Sequence, residues 1–118
     1  MWLMTRFGFF SIVQKSGDAE MGMLTVRARV RADLEALRAA YLPEMGEIAV
    51  NAGTDYRYRA RVPRAALAAA LQQIVLDIDY ANFKAAVYKT QGSRRSQLYH
   101  EVWGVLYQLQ DGGTEMAS

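Results

Sequence analysis

Two stretches, Leu24-Thr25-Val26-Arg27-Ala28-Arg29-Val30-Arg31 and Tyr56-Arg57-Tyr58-Arg59-Ala60-Arg61-Val62, decide how this chain folds. In both, arginine alternates with apolar or aromatic residues. A period of two is the signature of a β-strand with one buried face, so Leu24, Val26, Ala28 and Val30 belong to one side of a sheet and the arginines to the other. The expected product is a half-buried sheet with a guanidinium-rich outer surface. Seven of the fourteen Lys and Arg residues (Arg6, Arg27, Arg29, Arg31, Arg57, Arg59 and Arg61) fall on such segments. The carboxylates fall mainly on helices and loops, which polarises the surface.

Working outward, the aromatic and β-branched run from Trp2 to Gln14 reads as a first strand, ended by Ser16-Gly17-Asp18. As one strand it would put Leu3, Phe7, Phe9 and Val13 on one face and Trp2, Arg6, Phe10 and Gln14 on the other. The next strand runs from about Met21 to Arg31. Asp33 is the expected N-cap of a short helix carrying Leu34, Leu37 and Tyr41, ended by Pro43. Glu47 to Val50 reads as a brief strand, and Asn51-Ala52-Gly53-Thr54 as the turn into the second arginine strand. Pro63 opens an alanine-rich helix through Asp79, with Leu67, Leu71, Ile74 and Ile78 as its inner stripe. A shorter helix follows, with Asp79 at its N-cap. A last helix, about Ser96 to Gln110, carries an expected core stripe of Leu98, Val102, Val105, Leu106 and Leu109.

This order, ββαββααα, predicts an α+β two-layer sandwich with an antiparallel sheet of three or four strands, loosely ferredoxin-like in shape. Residues 1–110 are expected to form a single domain, and 111–118 a disordered tail. No glycine-rich fingerprint follows a strand, so no nucleotide cofactor is expected and a doubly wound fold is disfavoured. The chain has no cysteine, which removes disulfides, thiolate metal sites and cysteine nucleophiles. No run of eighteen apolar residues suggests a membrane span, and Arg6 interrupts the apolar opening, so a cytoplasmic location is expected.

A net charge of +2 does not suit a binder that neutralises many phosphates. The arginine face still suits an anion locally, because guanidinium forks match phosphate and carboxylate oxygens. Arg27, Arg29, Arg57, Arg59 and Arg61 are therefore the candidate donors, and RNA, a phosphate ligand or an acidic protein the candidate partners. If Trp2 and Phe10 shared that face, aromatics would lie beside arginines, as on sheets that stack unpaired bases. The plainer alternative is that the arginines keep the outer face soluble or pair with carboxylates.

Asp77, Asp79 and His100 are the alternative set, for a small metal-dependent enzyme, with Tyr80, Asn82 and Lys84 nearby in sequence. No third carboxylate stands at loop spacing, and the neighbouring Glu101 points away from His100 on a helix, so neither a metal site nor a catalytic set is assigned. Tyr99, Trp103 and Tyr107 are wider than one helix stripe needs and suit a homodimer interface or a structural homo-oligomeric subunit.

Five stretches also form a resemblance: Trp2 through Gln14, Arg27-Ala28-Arg29, Gly53 through Arg59, Asp77 through Lys84, and Tyr99 through Gln110. In these the chain resembles a family of small uncharacterised bacterial proteins of about this length. The resemblance implies a bacterial cytoplasmic setting and a single domain, and transfers no catalytic residue.

Overall fold

A computed structural model describes residues 1–51 and 53–110. The expected tail, 111–118, lies outside the described residues. Contacts gather into two compact units, one ending at Asp79 and one beginning at Tyr80.

The first unit is an α+β sandwich on a five-stranded antiparallel sheet. Its strands are β1 (Trp2–Thr5), β2 (Gly8–Val13), β3 (Met23–Ala28), β4 (Ala49–Val50) and β5 (Tyr58–Pro63), in spatial order β1-β2-β3-β5-β4. Its helices are the one-turn α1 (Asp18–Met21), α2 (Arg31–Ala40) and α3 (Arg64–Leu76). The second unit contains α4 (Phe83–Gln91) and α5 (Ser93–Leu106), joined at Gly92 and followed by a 3-10 turn, Tyr107–Gln110.

The fifth strand comes from the chain's opening. What reads as one strand is a hairpin, turning at Arg6 and Phe7, with Trp2 opposite Ser11 and Thr5 opposite Gly8. The Thr5 hydroxyl accepts from the backbone N–H of Phe7 (3.2 Å) and Gly8 (3.0 Å) and so closes the turn. Gly8 is needed there for space. A Cβ would stand 2.8 Å from Phe10 Cζ and 2.9 Å from Asp33 Cβ, which would push α2 off the hairpin. The turn also changes which residues share a face. Phe10 is fully buried in the core, and Phe9 takes the expected place of Phe10 beside Trp2.

The alternation in β3 and β5 holds. Val26, Ala28, Ala60 and Val62 join Phe10, Ile12, Leu34, Leu37, Leu42 and Leu67 in one apolar core under α2 and α3. Burying leucines such as Leu34 and Leu37 contributes roughly 2 kcal/mol each. Helix α2 begins at Arg31, with Val30 as its N-cap. Asp33 is therefore not the cap; it lies in the first turn, where its carboxylate accepts from Phe9 N–H at 3.0 Å. Likewise Asn82, not Asp79, caps α4, accepting from Ala85 N–H at 2.9 Å. The expected inner stripe of α5 is largely exposed, including Leu98, Val105, Leu106 and Leu109; Tyr99 is the residue that is buried.

Candidate anion site on the arginine face

Register partners share a face, so the face opposite the core carries four rows. Three of these are Val13, Thr25 and Arg61; Trp2, Ser11, Arg27, Arg59 and Ala49; and Met4 with Phe9; Met23 with Pro63 is the fourth. Within this unit the longer helices occupy the apolar side. The protein's own chain covers the arginine side at two places, with different chemistry.

At one end is α1, bracketed by Gly17 (φ 86) and Gly22 (φ 64), both in the left-handed region that glycine adopts without strain. This tight bracket delivers Asp18, with no exposed surface, onto the sheet. One carboxylate oxygen accepts from Lys15 N–H (2.7 Å) and the Thr25 hydroxyl (2.8 Å); the other accepts from Arg61 Nε (2.8 Å) and Nη2 (2.6 Å). The Lys15 amide is the largest influence holding the carboxyl below the usual aspartate range. The Thr25 and Arg61 hydrogen bonds and the Arg61 charge act the same way and together outweigh the opposing effect of burial. Arg61 is thereby engaged within the fold.

At the other end the segment entering β5 folds over Arg27, Arg29 and Arg59. Tyr56, only 3% exposed, has the Arg27 and Arg29 guanidinium carbons each 4.6 Å from its ring centroid. Among the described residues, backbone carbonyls and hydroxyls are the only hydrogen-bond acceptors these groups meet. Arg29 Nε donates to Asp55 O (3.2 Å), Arg59 Nη2 to Thr54 Oγ1 (2.9 Å) and Tyr56 O (3.1 Å), and Arg27 Nη2 to Ser11 Oγ (2.7 Å). Among the described residues no carboxylate lies within ion-pair distance of Arg27, Arg29, Arg57 or Arg59. The Nε–H groups of Arg27 and Arg59 are buried and have no acceptor among the described residues. Because Arg27 and Arg59 face each other in register, two like charges stand side by side, an arrangement that destabilises a sheet unless something neutral or negative intervenes.

The alternative set divides between the two units. Asp77 accepts from the Tyr41 hydroxyl (2.9 Å) and Gln73 Nε2 (2.7 Å), while Asp79 pairs with Arg6 (2.8 Å). Burial, together with the Asp77 carboxylate as acceptor, pushes the Tyr41 hydroxyl above the usual phenol range. Both aspartates thus hold the end of α3 within the first unit. His100 is in the second unit, its Nδ1 3.0 Å from Lys84 Nζ and its ring stacked on Trp103. Among the described residues no group of three or more His, Asp or Glu side chains is arranged to hold a metal ion.

The three aromatics of the last helix also separate. Tyr99 is buried against Phe83, with ring centroids 5.9 Å apart and planes 9° apart. Trp103 is 54% exposed and stacks between His100 (5.5 Å) and Tyr107 (5.3 Å).

The residue missed by sequence reasoning is Asp18, which resembled a turn breaker; its side-chain partners lie 7 and 43 residues away. Among the described residues no helix is long and apolar enough to cross a membrane. Compared with family models, curated proteins and solved structures, the chain matches none.

Proposed function

We propose that this chain is a non-enzymatic, anion-binding interaction module whose receptor is the pair Arg27 and Arg59, with Arg29 and Arg57 at its rim. One observation carries the reading. Two guanidinium groups lie opposite each other in register, and among the described residues neither has a carboxylate partner and neither buried Nε–H has an acceptor. An oxyanion above the pair relieves the repulsion and supplies charge-assisted acceptors in fork geometry. A cytoplasmic setting accompanies this reading, in keeping with a chain without cysteine.

The test is a melting curve with pyrophosphate. A ligand that binds only the folded form stabilises it by about 2.7 kcal/mol at a hundredfold excess over Kd. The midpoint of the wild type should rise, and that of Arg27→Gln/Arg59→Gln should not. An unmoved wild-type midpoint in millimolar pyrophosphate overturns the reading.

The exposure of Trp103, Leu98, Val105, Leu106, Tyr107 and Leu109 favours a second reading, self-association through α5. In that case size-exclusion chromatography shows a dimer that Trp103→Glu converts to a monomer. A monomeric wild type at high concentration sinks it.

A further inference from the structure

Trp2, Ser11, Arg27, Arg59 and Ala49 form a single row across all five strands, because Trp2 is in register with Ser11, Ser11 with Arg27, Arg27 with Arg59, and Arg59 with Ala49. With strands about 4.8 Å apart, the row carries the indole about 10 Å from Arg27 and about 14 Å from Arg59 at the backbone. Between them stands Ser11, buried and bonded to Arg27, whose guanidinium packs on the Tyr56 ring. Trp2 is 68% exposed, and Phe9 meets it edge to face, with centroids 5.5 Å apart and planes 88° apart. A large aromatic surface is thus held open at one end of a row that carries, further along, two cations without a carboxylate partner among the described residues.

We infer that the row receives a nucleobase still joined to its phosphate, presented by single-stranded nucleic acid: the base stacks on Trp2, and the backbone passes above the buried Ser11 to bring its phosphate to Arg27 and Arg59. This rests on the anion reading above and adds the base to it. A bare phosphate has no use for the indole, and an acidic peptide side chain has no π-face to lay on it. Every base has one, and stacking on an aromatic side chain is tolerant of sequence. Duplex DNA is a poor fit, because its bases are not free to stack on a protein ring. The modest net charge of +2 restricts the contact to few phosphates. For about two or three neutralised phosphates on a single strand, the slope of log K against log salt is about −1.4 to −2.1.

The experiment uses the full chain with Trp103→Phe, so that Trp2 is the fluorophore, titrated with a short oligoadenylate, an abasic oligomer of equal length, AMP and pyrophosphate. Oligoadenylate should quench Trp2 fluorescence. Trp2→Ala should weaken oligoadenylate binding about tenfold with the salt slope unchanged, and Trp2→Phe should recover most of the loss. Arg27→Gln/Arg59→Gln should abolish most of the slope. Pyrophosphate affinity should be insensitive to Trp2.

Equal affinity for the abasic oligomer, or no effect of Trp2→Ala, overturns the base contact while pyrophosphate binding leaves the anion reading standing. Equal affinity for AMP and the oligomer overturns the strand as the source. Loss of pyrophosphate binding as well overturns both readings. Because Trp2 is exposed, its substitution should leave the melting midpoint in place, which separates lost binding from lost folding.

Discussion

Arg59 and Arg61 stand two residues apart on β5, point to the same face, and meet opposite surroundings. Arg61 is locked to a buried carboxylate that has two further donors. Arg59 meets a hydroxyl, a carbonyl and the like charge of Arg27, and its buried Nε–H has no acceptor among the described residues. Period-two patterning makes the two residues equivalent; the difference comes from whether a loop delivers an acid. Asp18 does so at one end, and Tyr56 delivers an aromatic ring and a carbonyl at the other. A charge alternation in a strand therefore defines a face, and the segments folded onto that face decide which charges serve the fold and which stay available.

Removing the acid breaks the comparison most severely. Asp18→Ala leaves the Thr25 hydroxyl, the Lys15 amide and the Arg61 guanidinium without their shared acceptor and should cost about 3 kcal/mol, read by denaturant unfolding. Arg61 is partly exposed, so water recovers some of its share. The same site sets an acid limb. Because the Asp18 carboxyl lies below its unfolded value, its contribution is complete above the ordinary aspartate range near 3.9. It is lost as pH falls from there through the depressed folded value. Midpoints measured down the acid limb should fall less steeply in Asp18→Asn than in the wild type.

Much of the fold was legible because β3 and β5 alternate strictly, so burial of Val26, Ala28, Ala60 and Val62 follows from period alone. The opening hairpin was not, since Arg6 and Phe7 carry no turn signal. The closing chemistry is in Thr5, whose hydroxyl does what Asn or Asp does in commoner turns. Missing that turn assigns Phe10 to the wrong face, because parity reverses across it. The arginine residues of the site were legible by type and face, whereas their partners were not. The bond between Asp18 and Arg61 spans 43 residues and depends on how α1 lands on the sheet. The stripe on α5 misled for a related reason: apolar spacing predicts burial only where a second surface meets it, and Tyr99 alone is buried on that helix.

A smaller change would sharpen the comparison by making the open end resemble the closed one. Ser11 already accepts from Arg27, so Ser11→Asp offers that guanidinium a carboxylate of its own. It should shift stability by only about 1 kcal/mol in either direction, because burying an ion pair costs nearly what it returns. It should weaken pyrophosphate binding about tenfold, measured by calorimetric titration, since the added negative charge occupies the receptor.

The most direct test exchanges one neutral amide for one guanidinium at each end and reads stability and pyrophosphate affinity side by side. Arg61→Gln should lose about 2 kcal/mol of stability, because the buried Asp18 loses its charged partner, while keeping pyrophosphate affinity within about twofold. Arg59→Gln should keep stability within about 1 kcal/mol and lose at least about tenfold in affinity, the worth of a charge-assisted hydrogen bond. The reverse pattern, with affinity following Arg61 and stability following Arg59, would contradict the division of the arginine face into a structural end and a receptive one.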